Sequence, residues 1–205
     1  MHPFETDLDR NPANYVPLTP VSFLTRAANA FAEKIAVIDG TRRITYRQLL
    51  DRCTRLASAL AKLGVGRLDT VAIIASNIPE MIEAHFAVPM LGAVLNPLNT
   101  RLDAANIAFS LKHGSAKVLI VDGDYAQVVR EALAHLDRDI IVVDIAVPSE
   151  PAQTIGKYGY EELLAAADPA FDWPGITDEW QSLALLYTSG TTGDPKGVVY
   201  SHRGA

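Results

Sequence analysis

Hydrophobic and polar positions follow two periods along this chain. Short, uniformly apolar runs rich in valine, isoleucine and leucine occur at 71–75, 93–95, 118–121, 140–143 and 182–187. Runs of that length and composition are typical of buried strands. Between most of them, apolar residues recur every three or four positions, which predicts helices with one buried face. Short buried strands that alternate with amphipathic helices predict an α/β fold, in which a parallel sheet is covered by helices on both faces.

The most clearly marked helix follows a predicted hairpin at 35–45. Thr45 and Gln48 have the spacing of a capping box, in which each residue satisfies a backbone N–H of the other. Gly64 is expected to end this helix. Its buried stripe is formed by five residues in steps of four and three: Leu49, Cys53, Leu56, Leu60 and Leu63.

Three more helices are predicted on similar grounds. Asn77 is expected to open the first of them, with Pro79 in its first turn, where a missing N–H costs nothing. Asp103 is expected to cap the second, which ends at His113, and the third is expected to run to Leu136. This order of strands and helices favours right-handed crossovers within one sheet.

The two ends of the chain differ from its middle. Residues 1–34 are predicted to form an extended lead-in and a first helix, because prolines are frequent there, and residues 35–205 the α/β unit. The chain stops at Ala205, directly after Ser201-His202, a pair typical of a helix start. We therefore expect a truncated domain. Such a cut leaves a sheet edge unpaired and apolar faces uncovered, so a homo-oligomer is one expected form.

Composition limits the classes of protein to which the chain can belong. Of the 205 residues, 49% are hydrophobic, which argues against a disordered chain. Eighteen basic against 24 acidic side chains argue against nucleic acid as a partner. The single cysteine, Cys53, excludes a disulfide framework. Because the N-terminus has no secretory leader pattern and no apolar run is long enough to span a membrane, we expect a cytoplasmic protein without membrane spans.

Candidate chemistry is concentrated in one stretch, residues 187–197, which reads YTSGTTGDPKG. Glycines let a backbone approach a ligand closely, and exposed N–H groups, hydroxyls and a lysine can surround phosphate oxygens. The stretch follows a strand predicted to be buried, and ligands of α/β proteins collect at the carboxyl ends of strands. It does not have the spacing of a Walker A loop. Residue chemistry alone leaves two interpretations open, a phosphate-binding loop and an ordinary surface loop.

The stretch from Thr188 to Gly204 resembles the signature of the adenylate-forming, or AMP-binding, superfamily, which includes acyl-CoA synthetases, luciferases and peptide-synthetase adenylation domains. Two earlier segments also resemble that family: 44–49, ITYRQL, and 91–102, LGAVLNPLNTRL. The second is similar to the form found in acyl-CoA ligases. The resemblance implies the first subdomain of the ligase N-terminal domain, with 35–205 an incomplete nucleotide-binding subdomain.

The resemblance implies a two-step ligase that uses ATP, Mg²⁺ and coenzyme A. A short- or medium-chain carboxylic acid is activated to an acyl-adenylate, and the acyl group then passes to the thiol of coenzyme A. The family pattern assigns phosphate contacts to seven residues and a Mg²⁺ contact to the first of them: Thr188, Ser189, Gly190, Thr191, Thr192, Gly193 and Lys196. The family's catalytic residues lie downstream of Ala205, so no catalytic residue is assigned and no turnover by this chain alone is expected. The alternatives are a non-catalytic nucleotide-binding or interaction module and an amino-acid-activating adenylation domain.

Outside that stretch, the other chemically active side chains are interpreted as structural. Cys53 is expected to be a buried thiol, because it lies on the apolar stripe of its helix. His85 is expected to pack, and His113 to cap the C-terminal end of its helix. His202 lies within the family signature, and a contact with nucleotide or acyl group stays open there. The triplet 99–101, NTR, is expected to form a turn.

Overall fold

In a computed structural model, the described part of the chain forms a seven-stranded sheet with helices on both faces, and a two-stranded hairpin. The structure describes residues 2–146, 154–188 and 195–205. The helices are α1 Pro20–Ala30, α2 Tyr46–Lys62, α3 Pro79–Met90, α4 Ala104–His113, α5 Ala126–Leu133 and α6 Tyr160–Ala165. The strands are β1 Ile35–Asp39, β2 Arg42–Thr45, β3 Thr70–Ile74, β4 Val94–Pro97, β5 Ala116–Asp122, β6 Ile141–Ile145, β7 Tyr158–Gly159, β8 Ser182–Tyr187 and β9 Gly197–Ser201.

The order of strands across the large sheet is β7-β6-β5-β3-β4-β8-β9. Neighbouring strands are parallel from β7 to β8, and β9 alone runs antiparallel to its neighbour β8. The predicted parallel sheet is therefore confirmed, with an antiparallel strand at one edge. Because β4 and β8 are parallel neighbours, their carboxyl ends lie side by side at one edge of the sheet.

Alternate residues of the central strands enter two separate cores, as the period of two in a strand requires. On one face, Val71 and Ile73 of β3 pack with α1, α2, α3 and α6. On the other face, Ala72 and Ile74 pack with α4 and α5. All four side chains are fully buried. The prediction of helices on both faces is confirmed.

Several helix boundaries match the expected capping chemistry. Thr45 and Gln48 form the predicted capping box, with the Thr45 N–H donating to Gln48 Oε1 at 2.9 Å. The Asp103 carboxylate accepts from the Asn106 N–H at 2.9 Å at the start of α4. Gly64 lies directly beyond α2 with φ of +84°, a conformation that glycine adopts without strain.

Two helix boundaries were predicted wrongly. Asn77 does not open α3, because the N-cap is Ile78, which the following proline holds in extended conformation. The helix α5 ends at Leu133 and not at Leu136. No helix of the described residues has both the length and the apolar character of a membrane span. The predicted division at residue 34 stays a prediction, although Val21 and Leu24 of α1 belong to the same core as α2.

Candidate functional site

A cleft of about 500 Å³ opens at the carboxyl ends of β4 and β8. Its walls come from the end of β4, from α4 and from the end of β8. Ten described residues line it: Pro97, Leu98, Asn99, Leu102, Asn106, Ser110, Leu186, Tyr187, Thr188 and Pro195. The lining is mostly apolar with a few amide and hydroxyl groups, and it contains no carboxylate among the described residues. The cleft can therefore accept an anionic ligand without charge repulsion from its described walls.

Both described ends of the stretch 187–197 lie at this cleft. The antiparallel ladder of β8 and β9 pairs Tyr187 with Gly197, and the Thr188 N–H donates to the Lys196 carbonyl oxygen at 3.0 Å. Thr188 and Pro195 form part of the wall, and the Lys196 side chain is exposed. The other five residues assigned to phosphate contacts, namely Ser189, Gly190, Thr191, Thr192 and Gly193, lie outside the described residues.

The strand pair below the stretch is packed too closely for a side chain at Gly197. A Cβ atom placed there would lie 2.9 Å from Leu185 Cδ1 and 3.5 Å from Tyr187 Cε1. Glycine at this position therefore lets β9 lie directly against the side chains of β8.

The end of α4 contacts the end of β8 through an aromatic group. His113 Nδ1 lies 2.8 Å from the hydroxyl oxygen of Tyr187, and the same hydroxyl donates to the carbonyl oxygen of Ser110 at 3.3 Å. The His113 ring stacks on Phe109 with a centroid separation of 5.3 Å. The described polar contact of the His113 side chain is thus with Tyr187. His113 lies in the last turn of α4, as expected, and its capping role stays a prediction. The turn predicted at 99–101 is present, because the Leu102 N–H donates to the Asn99 carbonyl oxygen at 3.2 Å.

His202 lies directly after β9 and is almost completely buried, with 1% of its surface exposed. Its Nδ1 is 2.9 Å from the hydroxyl oxygen of Thr19, the N-cap residue of α1. Burial lowers the pKa of the His202 imidazole below its ordinary value. His202 is not among the described residues that line the cleft, so its contact with a nucleotide or acyl group stays a prediction.

A buried ionic group joins α2, α3 and α6 on the opposite face of the sheet from α4. Arg52 Nε lies 2.6 Å from Glu83 Oε1, and the Tyr160 hydroxyl donates to Glu83 Oε2 at 2.7 Å. The Glu161 carboxylate accepts from the other side of the same guanidinium group. Burial raises the pKa of Glu83, although hydrogen bonds from Arg52 and Tyr160 oppose that effect. Because this group lies away from the cleft, its position favours a structural role.

The predictions for Cys53 and His85, one residue on α2 and one on α3, had different outcomes. Cys53 is fully buried, as predicted, and burial raises the pKa of its thiol well above the ordinary value. His85 is exposed, and its Nδ1 lies 2.8 Å from the carbonyl oxygen of Met81, so the prediction of a packing histidine is wrong. Both residues are on helices, but only Cys53 lies on a consistently apolar stripe.

A second cavity, about 700 Å³ in volume, lies between the lead-in, α1 and the loop around Trp173. It is larger than the cleft and open to solvent, and its lining surface is mostly apolar. Its described lining includes Val16, Arg26 and Ile176, and it includes neither Thr188 nor Lys196. The candidate site therefore does not follow from cavity size: of the two, the smaller cleft is the one that described residues of the stretch 187–197 line.

Comparison with known protein families shows to which family the chain belongs. The model of the AMP-binding enzyme family matches residues 24–205, which is most of the chain. The chain belongs to the AMP-binding enzyme family. The matched residues include those that line the cleft, both ends of the stretch 187–197, and every strand of the large sheet.

Known members of the AMP-binding family extend the comparison to named enzymes. Over 97% of its length, the chain is 47% identical to the acetate/butyrate–CoA ligase AAE7 of Arabidopsis thaliana and 46% identical to the acetate–CoA ligase CCL3 of Humulus lupulus. It is also 44% identical to a trans-cinnamate:CoA ligase of Petunia hybrida. The chain spans only 37% of the length of the first two relatives and 38% of the third.

Solved structures of AMP-binding enzymes agree with the fold. An anthranilate CoA ligase has a TM-score of 0.85 at 23% identity, over 95% of this chain and 37% of its own. A benzoate CoA ligase from Burkholderia xenovorans LB400 has a TM-score of 0.76 at 28% identity, over 90% of this chain and 35% of its own. The first likeness shows the fold alone.

The expected cytoplasmic location is wrong by this comparison. The relative AAE7, the Petunia hybrida ligase and a benzoate–CoA ligase of Arabidopsis thaliana are all named as peroxisomal. The expectation rested on a missing secretory pattern and on missing membrane spans. Neither feature bears on peroxisomal import, which depends on a short address that a receptor reads and not on an apolar leader.

Proposed function

We propose that the protein containing this chain is an acyl-CoA ligase, which activates a carboxylic acid with ATP and transfers the acyl group to coenzyme A. The observation that carries the proposal is the backbone pair of Thr188 and Lys196, because it brings these two residues of the signature together at the carboxyl end of β8, where Thr188 lines the cleft. The relatives named as CoA ligases support the same activity. The residues of this chain would bind and orient the nucleotide.

The residues of this chain would contribute to the reaction by electrostatic stabilisation of the phosphates. Lys196, the Thr188 hydroxyl, and the hydroxyl and N–H groups of 189–193 would hold the β- and γ-phosphates of ATP, the part that leaves as pyrophosphate. Hydrogen bonds to charged groups contribute about 1.5–3 kcal/mol each, so several of them hold a triphosphate firmly. Donors already in place where negative charge develops lower the barrier without reorganisation during the reaction.

The residues present fit a magnesium nucleotide. The described lining of the cleft contains no carboxylate that would repel the phosphates, and Thr188 offers a hydroxyl oxygen as a ligand. When bound with ATP, Mg²⁺ would neutralise part of the phosphate charge. Thr188 would contact this ion, while Lys196 would act as a mobile point charge on the phosphates.

We propose a short- or medium-chain carboxylic acid as the substrate. Relatives named for acetate, butyrate, trans-cinnamate and benzoate support a small acid, either aliphatic or aromatic. The apolar part of the cleft, formed by Leu98, Leu102 and Leu186, is compatible with such a ligand but does not select one acid.

Pyrophosphate exchange tests the proposal. The full gene product would be incubated with MgATP, labelled pyrophosphate and each of a panel of acids, including acetate, butyrate, cinnamate, benzoate and several amino acids. We expect exchange that depends on one or more simple carboxylic acids. Exchange with amino acids alone would favour an amino-acid-activating domain. Absence of exchange with every acid, while a known CoA ligase is active in the same assay, would favour the non-catalytic module.

A further inference from the structure

The contact between α4 and β8 points to a role for a residue that the family resemblance leaves unassigned. The His113 ring is fixed on one side by Phe109, with the two rings almost parallel at an interplanar angle of 16°. Its Nδ1 faces the Tyr187 hydroxyl at 2.8 Å. Tyr187 directly precedes Thr188, the first residue of the stretch assigned to phosphate binding.

One assignment of hydrogen atoms satisfies both contacts of the Tyr187 hydroxyl. That hydroxyl carries a single hydrogen, which it donates to the Ser110 carbonyl oxygen at 3.3 Å. It must then accept from His113, so Nδ1 of His113 carries the hydrogen in this arrangement. The His113 imidazole and the Ser110 carbonyl group, both near the C-terminal end of α4, thereby fix the Tyr187 hydroxyl.

The same phenol is joined to both ends of the stretch 187–197 through the backbone. Tyr187 pairs with Gly197 in the β8–β9 ladder, and the next N–H, that of Thr188, donates to the Lys196 carbonyl oxygen. A Cβ atom at Gly197 would lie 3.6 Å from His113 Cε1. The imidazole therefore contacts the side chain at one end of the stretch and lies directly beside the other end.

The end of α4 is packed tightly against β8, so this connection has little freedom. A Cβ atom at Gly114, directly after α4, would lie 3.0 Å from Leu185 Cδ2 of β8. A shift of α4 along β8 would therefore meet the side chains of the strand.

We propose that His113 is a positioning residue for the phosphate-binding stretch, which it holds through the Tyr187 hydroxyl and thus through the backbone pair of Thr188 and Lys196. This inference rests on the proposed function, because it concerns how the same site is held. His113 itself would not contact the nucleotide. Its loss would weaken the binding of MgATP and leave the binding of the acid much less affected.

Three variants of the full gene product test this role. His113→Leu removes the polar contact, and His113→Asn keeps an N–H donor at the position of Nδ1. Lys112→Ala is the matched control, because Lys112 is on the same helical turn but bonds Asp137 at 2.8 Å. We expect His113→Leu to raise KM for MgATP about three- to tenfold, the range that one neutral hydrogen bond allows. His113→Asn should recover part of this change, and Lys112→Ala should behave as wild type.

A double-variant cycle shows whether His113 acts through Tyr187. Tyr187→Phe removes the hydroxyl that His113 contacts. If the inference is correct, adding His113→Leu to Tyr187→Phe produces much less further change in KM than His113→Leu alone. Fully additive effects of the two substitutions would overturn the inference.

Amide hydrogen exchange gives a readout that does not depend on activity. The Thr188 N–H, which donates to Lys196, should exchange faster in His113→Leu than in wild type or Lys112→Ala. Equal Thr188 exchange, or equal KM for MgATP, in His113→Leu and Lys112→Ala would overturn the inference while the proposed function stands. A wild-type protein without pyrophosphate exchange would overturn the proposed function, and this inference with it.

Discussion

The hydroxyl oxygen of Thr19 lies 2.9 Å from Nδ1 of His202, a contact between residues that are 183 positions apart. Thr19 is the N-cap of α1, and its hydroxyl also accepts the Val21 N–H at 3.2 Å. The imidazole therefore lies at the positive end of a helix, in a buried position. Both conditions favour the neutral form of His202. Its Nε2 has no hydrogen-bond partner within the described part of the chain.

Stability should depend on pH through His202. Burial lowers the pKa of the folded protein's imidazole below the ordinary value of 6.5, so the unfolded chain takes up the proton first. The contribution of His202 to the free energy of unfolding is then present above pH 6.5 and lost as pH falls from there towards the lower pKa of the folded state. We expect urea unfolding to show this loss in wild type and not in His202→Asn, which keeps an amide group near Thr19.

The difference between the two proteins isolates the histidine, because the carboxyl groups titrate in both. Equal pH dependence in wild type and His202→Asn would show that the imidazole does not govern stability in this range. If His202→Asn is less stable than wild type already at pH 8, the difference reflects lost packing. The change of the free energy of unfolding with pH then still shows whether the imidazole of His202 governs the pH dependence.

The ionic group around Glu83 should be sensitive to the loss of its cation. Glu83 is fully buried, and Arg52 Nε is 2.6 Å away. Removal of one partner from a buried ion pair leaves an uncompensated charge and typically costs about 3–5 kcal/mol. We expect Arg52→Ala to reduce the free energy of unfolding by about that amount, measured by urea titration.

Arg47→Ala is the matched control for that substitution. Arg47 also pairs with a glutamate, Glu33, but both side chains are mostly exposed. An exposed pair contributes about 0–1 kcal/mol. If Arg47→Ala and Arg52→Ala lower the free energy of unfolding equally, burial does not make the ion pair of Arg52 and Glu83 more important for stability than an exposed pair.

Close packing of α4 on β8 should make Gly114 intolerant of a side chain. A Cβ atom there would lie 3.0 Å from Leu185 Cδ2 of β8, and also 2.9 Å from the Ser110 carbonyl oxygen of α4 itself, a backbone atom that cannot easily move. We expect Gly114→Ala to destabilise the protein by about 1–3 kcal/mol in thermal or urea unfolding. At Gly66, a Cβ atom would find its nearest neighbour at 4.0 Å, so Gly66→Ala should be close to neutral. A neutral Gly114→Ala would mean that α4 can shift along β8.

The stretch 187–197 should govern turnover more than folding. Lys196 is exposed, so its replacement removes a charge without opening the core. We expect Lys196→Ala and Thr191→Ala in the full gene product to lower kcat/KM for MgATP at least tenfold, the loss of about one charge-assisted hydrogen bond. The melting temperature should change little. Unchanged kinetics in both variants would remove the stretch from the reaction.

Patterns within short segments predicted most of the fold. The other strands of the large sheet and the capping of α2 and α4 depend on residues a few positions apart, and they appear close to where the local pattern placed them, whereas the two-residue strand β7 was not predicted. The start of α3 was missed by a residue, because the proline ring at 79 fixed the boundary rather than the side chain of Asn77.

Contacts between distant parts of the chain could not be predicted in the same way. His113 meets Tyr187 across 74 positions, and His202 meets Thr19 across 183. Nothing in the local sequence of either histidine marks its partner, since the pairing follows from the order of strands and helices in space. For Glu83, an acidic residue amid apolar ones on α3 was a signal, but its partner Arg52 lies on another helix.

The most direct test of the central claim is the identity of the thioester product. The full gene product and its Lys196→Ala variant would be incubated with MgATP, coenzyme A and a mixture of acetate, butyrate, cinnamate, benzoate and amino acids, and all acyl-CoA species identified by mass spectrometry. The account predicts at least one acyl-CoA from a simple carboxylic acid, at a rate reduced in the variant. Formation of aminoacyl-adenylates without any acyl-CoA, or no product from any acid, would contradict it.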